Sequence, residues 1–174
     1  MSEGIGPFLA QNWALYYDMF MKTNAMRILE TKQIPFEVVT YHFDEEALDA
    51  IHAARSVGLD PKTVFKTIVM VNEQKQYWVF CLPADRSISL KKARALTESK
   101  SLELVKLDQI QAITGYIRGG CSPIGMKRPF PTFIEECGFS LPFIYVSAGK
   151  RGMQLRLKAE DLQCSIVATR ADFT

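Results

Sequence analysis

VFKTIVMVNEQKQYWVFCLP, residues 64–83, decides the fold. Phe65–Val71 and Tyr77–Leu82 are runs of β-branched and aromatic residues, the composition of strands. The intervening Asn72–Gln76 is polar and suits a hairpin loop. An antiparallel pair is therefore expected at the centre of the chain. Lys66 interrupts the first run. An ammonium among residues built for burial is expensive unless it is paired or faces a cleft. The other reading is an edge-strand lysine that discourages aggregation. Thr67 next to it points to the opposite face of the strand.

Outward from the hairpin, helices and strands alternate irregularly. Thr23 and Asn24 are candidate N-caps for a helix through about Lys32, which Ile34-Pro35 breaks. Phe36–His42 reads as a strand. Glu45–Val57 reads as a helix with Gly58 placed to end it. After the hairpin, Ser89 caps a basic helix over Leu90–Leu96. Leu102–Val105 reads as a strand and Asp108–Ile113 as a short helix. Thr114–Pro131 is rich in turn residues. Phe143–Ser147 and Met153–Leu157 read as strands around the turn AGKRG. Ala159–Leu162 reads as a helical turn and Ser165–Thr169 as a last strand. This order predicts an α+β fold with a mixed, strongly curved, barrel-like sheet surrounded by short helices.

Residues 1–20 stand apart. Leu9, Trp13, Tyr16 and Phe20 form one apolar helical face, and a second methionine, Met21, opens the next helix signal. The segment is either an amphipathic helix that covers a surface or a partner, or an extension outside the core domain; the expected organisation is an N-terminal extension, 1–20, and one domain, 21–174, a length that supports a sizeable core. The balance of 48% hydrophobic and 23% charged residues is that of a soluble globular protein. A net charge of +2 supplies no global attraction for nucleic acid, so RNA contact must come from local basic patches. No apolar run is long enough to span a membrane. The first twenty residues lack the basic start of a signal peptide. Cys81, Cys121, Cys137 and Cys164 have neither metal-ligand nor redox spacing, so four reduced thiols in the cytoplasm are expected.

Two loops could carry chemistry. In TGYIRGGCSPIG, residues 114–125, the pair Gly119-Gly120 lets the backbone approach a ligand and present its amides to an anion or oxyanion. In YVSAGKRG, residues 145–152, Ser147 ends a strand, and Lys150 and Arg151 on the turn could hold phosphate. Either stretch taken alone also reads as an ordinary tight loop. His42 and His52 belong to no triad motif, and no nucleophile elbow, zinc helix or P-loop occurs. Cys121 follows the glycine pair, but a nucleophilic thiol needs a neighbouring base and none is evident.

The same stretches resemble one family. KTNAMRILETKQIPFEVVTY at 22–41, VFKTIV at 64–69, CLPAD at 81–85, LKKARAL at 90–96, TGYIRGGCSPIGMK at 114–127 and IYVSAGKRGMQLRL at 144–157 are similar to the YbaK/EbsC group. These are freestanding relatives of the editing domain of bacterial prolyl-tRNA synthetase. The resemblance covers roughly residues 21–170. It implies that fold, and deacylation of Cys-tRNA(Pro) and Cys-tRNA(Cys) without cofactor or metal. Attack by the substrate's own thiol and docking on prolyl-tRNA synthetase are implied too; membrane and DNA are not. By motif, Lys66 matches the essential lysine, and Tyr41, Thr67, Gly119, Gly120, Ser147 and Gln154 match pocket positions. Arg118, Lys127, Lys150 and Arg151 are the candidate RNA contacts. Gln154 departs from the aspartate of the founding member, and the helix around Asp49 lacks an expected aromatic. Both differences bear on amino-acid preference. Other readings are an Ala- or Ser-specific deacylase, or a non-catalytic module that binds an amino acid or nucleotide.

Overall fold

A computed structural model of the protein describes residues 21–41, 50–56 and 58–174. The expected extension 1–20 and the first half of the Glu45–Val57 helix lie outside these residues.

The hairpin forms as its composition requires. Strand β2, Phe65–Asn72, pairs antiparallel with β3, Tyr77–Pro83, placing Lys66 opposite Leu82 and Thr67 opposite Cys81. The Asn72 side chain closes the turn by accepting the backbone N–H groups of Gln74 and Gln76. β4, Leu102–Leu104, adds to the far half of β2. β5, Thr132–Glu135, runs parallel to β3, and β8, Thr169–Ala171, parallel to β5. The remaining strands, β1 (Glu37–Thr40), β6 (Ile144–Ser147) and β7 (Met153–Leu157), make an antiparallel sheet in the order β1-β7-β6. The two sheets meet where Val64, just before β2, bridges Tyr145 in parallel, and the Tyr145 N–H donates to Thr63 at 2.9 Å. The result is a continuous curved surface; among the described residues, no pairing closes it into a barrel.

Register sorts every strand residue to one of two faces, because side chains alternate. One face carries Phe65, Val69, Val79, Cys81, Ile134, Val146, Met153 and Leu155, all in the main core. Helices α1 (Asn24–Thr31) and α5 (Ala159–Ile166) cover it. α1 is capped by the Thr23 hydroxyl, which accepts from Met26 N–H. The opposite face carries two smaller clusters. Helix α2, Ala50–Ser56, packs Ala54 with Val64 and Ala84. Helix α3, Leu90–Thr97, packs Ala93 with Met70, Phe80, Leu82 and Phe173. A short helix α4, Ile110–Thr114, and a 3-10 helix, Glu136–Ser140, complete the described elements.

Two expectations fail at the C-terminal end. Ser165 and Ile166 belong to α5, not to a strand. The helix continues because Leu162 and Ser165 are buried under it, and Val167 then ends it in the left-handed conformation at φ 53°. The last strand starts only at Thr169. β5 was unexpected: its four residues, TFIE, are too few to show a period.

The chain end closes the α3 side. Phe173 is fully buried, and its N–H donates to the buried Glu135 carboxylate at 2.9 Å. Lys92 holds both Asp172 and the Thr174 carbonyl. Phe173→Ala should therefore destabilise the protein by about 3–5 kcal/mol, the usual cost of emptying an aromatic core position. Urea unfolding followed by tryptophan fluorescence measures it.

Candidate active site

Lys66, Ser147, Gln154 and Tyr41 share one face. Lys66 has the parity of Val64, and Val64 bridges Tyr145. Ser147 has the parity of Tyr145 and lies opposite Gln154, which lies opposite Val39. Tyr41 follows at the same parity, and its backbone N–H donates to Gly152 O at 2.9 Å. This face is the one flanked by α2 and α3, and Lys66 sits between their two clusters. Its ammonium donates to the Ala84 carbonyl at 3.0 Å, so the backbone beyond β3 fixes the lysine's reach.

Gln154 is the anomaly here. It is buried on the central strand of its sheet, and its Oε1 has no hydrogen-bond partner among the described residues. A buried carbonyl left unpaired costs about 1–3 kcal/mol. The position is therefore one where a ligand donor recovers energy. Burial raises the Tyr41 phenol above its ordinary value, and the Gly152 backbone partly offsets this. A neutral hydroxyl thus faces the site near pH 7.

The two glycine-containing loops meet beside this face. The Arg151 guanidinium donates through Nε to Arg118 O at 2.8 Å. A Cβ on Gly120 would stand 3.2 Å from Arg151 N, so the loops touch backbone to backbone. Gly119 has φ 81°, a conformation natural to glycine. The Ser147 hydroxyl accepts from Gly149 N–H at 3.2 Å, which shapes the start of the AGKRG turn. Behind it, the Tyr116 ring packs so closely that a Cβ on Gly149 would lie 2.7 Å from Cε1. Tyr116 is itself anchored by donating to Ile124 O at 2.6 Å.

Three sequence candidates have other engagements. Thr67 faces the main core, away from Lys66. Its Oγ1 is buried with no hydrogen-bond partner of ordinary length among the described residues, and it lowers the adjacent Cys81 thiol against the larger effect of burial. Lys127 lays its stem on Gly115 and donates to Ala112 O at 3.2 Å, capping the carbonyl end of α4. Lys150 is exposed on the turn. The sequence offered no sign of the Ala84 and Gly152 carbonyls, because a backbone acceptor has no residue-type signature.

Enzyme-borne nucleophiles are poorly placed. All four cysteines are free thiols. Burial pushes Cys121 up to about 11 and Cys81 up to about 12, with the proximity of Cys121 adding to the second shift. Both are protonated at neutral pH. No group of three metal-ligating side chains occurs among the described residues, and no described helix is long and apolar enough to cross a membrane.

Comparison with known proteins follows this geometry. Residues 44–164 match the model of the aminoacyl-tRNA editing domain. EbsC of Enterococcus faecalis, whose name provisionally makes it a Cys-tRNA(Pro)/Cys-tRNA(Cys) deacylase, is 42% identical over 139 residues, which span 80% of this chain and 85% of EbsC. A crystal structure described, again provisionally, as a trans-editing enzyme for prolyl-tRNA synthetase superposes with a TM-score of 0.74 at 24% identity, covering 87% of this chain and 98% of the other. A hypothetical protein superposes with a TM-score of 0.77 at 16% identity, over 84% of this chain and 96% of its own. These two structural likenesses concern the fold. With the editing-domain model matched over more than two thirds of its length, the chain belongs to the aminoacyl-tRNA editing domain family.

Proposed function

We propose that this protein removes cysteine from mischarged tRNA(Pro), and from Cys-tRNA(Cys), acting in trans at the 3′ end of the aminoacylated tRNA. The observation that carries the reading is the line Lys66–Ser147–Gln154 across β2, β6 and β7, with an unpaired buried oxygen at its end. Family membership and the 42% identity to EbsC support the substrate class. The chemistry makes the need plain. Proline and cysteine differ by about a methylene in volume, and such a difference gives only about 1–3 kcal/mol of discrimination. A synthetase that accepts proline needs a second site that recognises the thiol.

On this reading the substrate supplies the nucleophile. The cysteinyl sulfur attacks its own ester carbonyl, a C–S bond forms, the ester C–O bond breaks, and the thiol proton passes to the departing ribose oxygen. The cyclic thioester then hydrolyses in water. The protein folds the aminoacyl group into reacting distance and stabilises charge that develops on the ester. Lys66 supplies the positive charge. The Gly119 amide and the Ser147 hydroxyl orient the ester, while Gly120, whose N–H donates to Ile117 O at 3.0 Å, shapes the loop; Tyr41 and Gln154 bound the amino-acid pocket, and Arg118, Lys150 and Arg151 approach the RNA backbone. Thr67 supports the pocket from the core side, and Lys127 holds the glycine loop. Prolyl-tRNA synthetase is the partner that would deliver tRNA(Pro), because a net charge of +2 gives little intrinsic RNA attraction.

Incubation with tRNA(Pro) charged with cysteine, alanine, serine or proline tests the reading. Rapid loss of cysteine alone is expected; preferential release of alanine or serine overturns it. Every proposed site residue lies in 21–174, so a chain without residues 1–20 should deacylate Cys-tRNA(Pro) at the rate of the full chain. A truncated protein that folds but is inactive would assign the extension to the site.

A further inference from the structure

The β2–β3 turn and the end of the glycine-rich loop enclose a shallow open groove of about 350 Å3, well away from Lys66. Lys75, Tyr77, Trp78, Arg128 and Phe130 line it, with prolines on either side of Phe130, and among the described residues no acidic side chain does. The aromatic rings are held in place. Tyr77 meets Phe130 edge to face at 5.9 Å, and the Arg128 guanidinium lies 5.4 Å from the centre of the Phe130 ring. Lys75 and Arg128 are exposed. Rigid aromatic surface beside exposed cations is how proteins bind unpaired nucleic acid: rings stack on bases and cations follow the phosphates.

The groove's position suits a strand that ends at Lys66. Lys66 lies opposite Leu82, and Trp78 is four residues back along β3, about 13 Å at strand rise. β6 runs parallel to β2 from the Val64–Tyr145 bridge, so the AGKRG turn projects toward the same end of the sheet as the groove. The glycine-rich loop joins them, running from Arg118, bonded to Arg151, to Arg128.

We propose that this groove binds the unpaired 3′ strand of the substrate tRNA a few nucleotides before the aminoacylated end, stacking a base on the Tyr77–Phe130 pair and setting its phosphate on Lys75 and Arg128. The proposal rests on the deacylase reading and extends it to residues that the family motifs do not include. It also explains how a nearly neutral protein holds RNA: the attraction is local.

The test uses a Lys75→Glu/Arg128→Glu double variant of the full chain, with Phe130→Ala as a second variant that keeps the charges. Affinity for an uncharged RNA hairpin ending in ACCA is read by fluorescence anisotropy at several salt concentrations. Deacylation is read on Cys-tRNA(Pro) and on cysteinyl-adenosine, which lacks the strand. Expected are at least about 10-fold weaker hairpin binding in both variants, a flatter salt dependence in the double variant alone, and a raised KM for Cys-tRNA(Pro). Turnover of cysteinyl-adenosine should be unchanged. Hairpin affinity equal to wild type in both variants overturns the groove, as does an equal loss on cysteinyl-adenosine. If activity falls only when prolyl-tRNA synthetase is present, with hairpin affinity intact, the groove takes a protein and the RNA assignment is wrong. A wild-type protein that binds the hairpin through these residues but deacylates nothing would sink the deacylase reading and leave the groove standing.

Discussion

Lys66→Ala is expected to lower kcat/KM for Cys-tRNA(Pro) deacylation by at least about 10²-fold, the scale on which a single charge-stabilising donor acts. The protein should stay folded. Lys66 is only partly buried, and its bond to the Ala84 carbonyl on the same hairpin is worth about 1 kcal/mol. Lys66→Met separates charge from packing, because it keeps an unbranched apolar stem beside Val64 and Leu82 while deleting the ammonium. Equal activity losses in both variants, with unfolding midpoints near wild type, would assign the effect to charge. Near-normal turnover in Lys66→Met would return the lysine to the edge-strand role that its sequence context equally allows. The register favours the cleft: β2 pairs with β3 at this position, and Val64, two residues earlier, bridges Tyr145, so the start of β2 is not a bare edge.

That distinction shows where sequence reading ends. The strands around Lys66 were legible because FKTIVMV and YWVFCL carry strong β composition on both faces, and the opposite orientations of Lys66 and Thr67 follow from alternation alone. Which face opens on a cleft was not legible. It depends on α2 and α3 leaving a gap between their clusters, and on Val64 meeting a strand some eighty residues later. Ser147 and Gln154 came into view through family motifs, but their alignment with Lys66 exists only across three strands. The Ser165–Thr169 error has the same origin. Ile166 and Val167 favour strands locally, yet burial of Leu162 and Ser165 carries the helix through Ile166, and Val167 ends it. For Lys127, a basic residue on a loop, the sequence carried no sign of its bond to Ala112 O at the carbonyl end of α4.

The substrate-thiol mechanism makes the sharpest demand on chemistry. Cys121→Ala should cost little activity, although Cys121 follows the glycine pair, because its burial holds the thiol up to about 11. About one molecule in 10⁴ would then carry the thiolate at pH 7, too few to compete with a cysteinyl substrate whose thiol ionises near the ordinary value of about 8.5. The two nucleophiles predict different pH profiles. An acid reacting as its anion gains rate tenfold per pH unit until its pKa and then levels off. The rate should therefore flatten at about pH 8–9 if the substrate sulfur attacks, and keep rising toward about 11 if Cys121 does. S-methylcysteinyl-tRNA should resist the enzyme by at least about 10²-fold, since its sulfur cannot form the anion. Seryl-tRNA should be similarly slow, because a hydroxyl is far less acidic than a thiol. Prompt release of S-methylcysteine would require a water or an enzyme group as nucleophile. If the Cys121→Ala variant released S-methylcysteine equally promptly, an activated water would be the remaining nucleophile, and cyclisation would be ruled out.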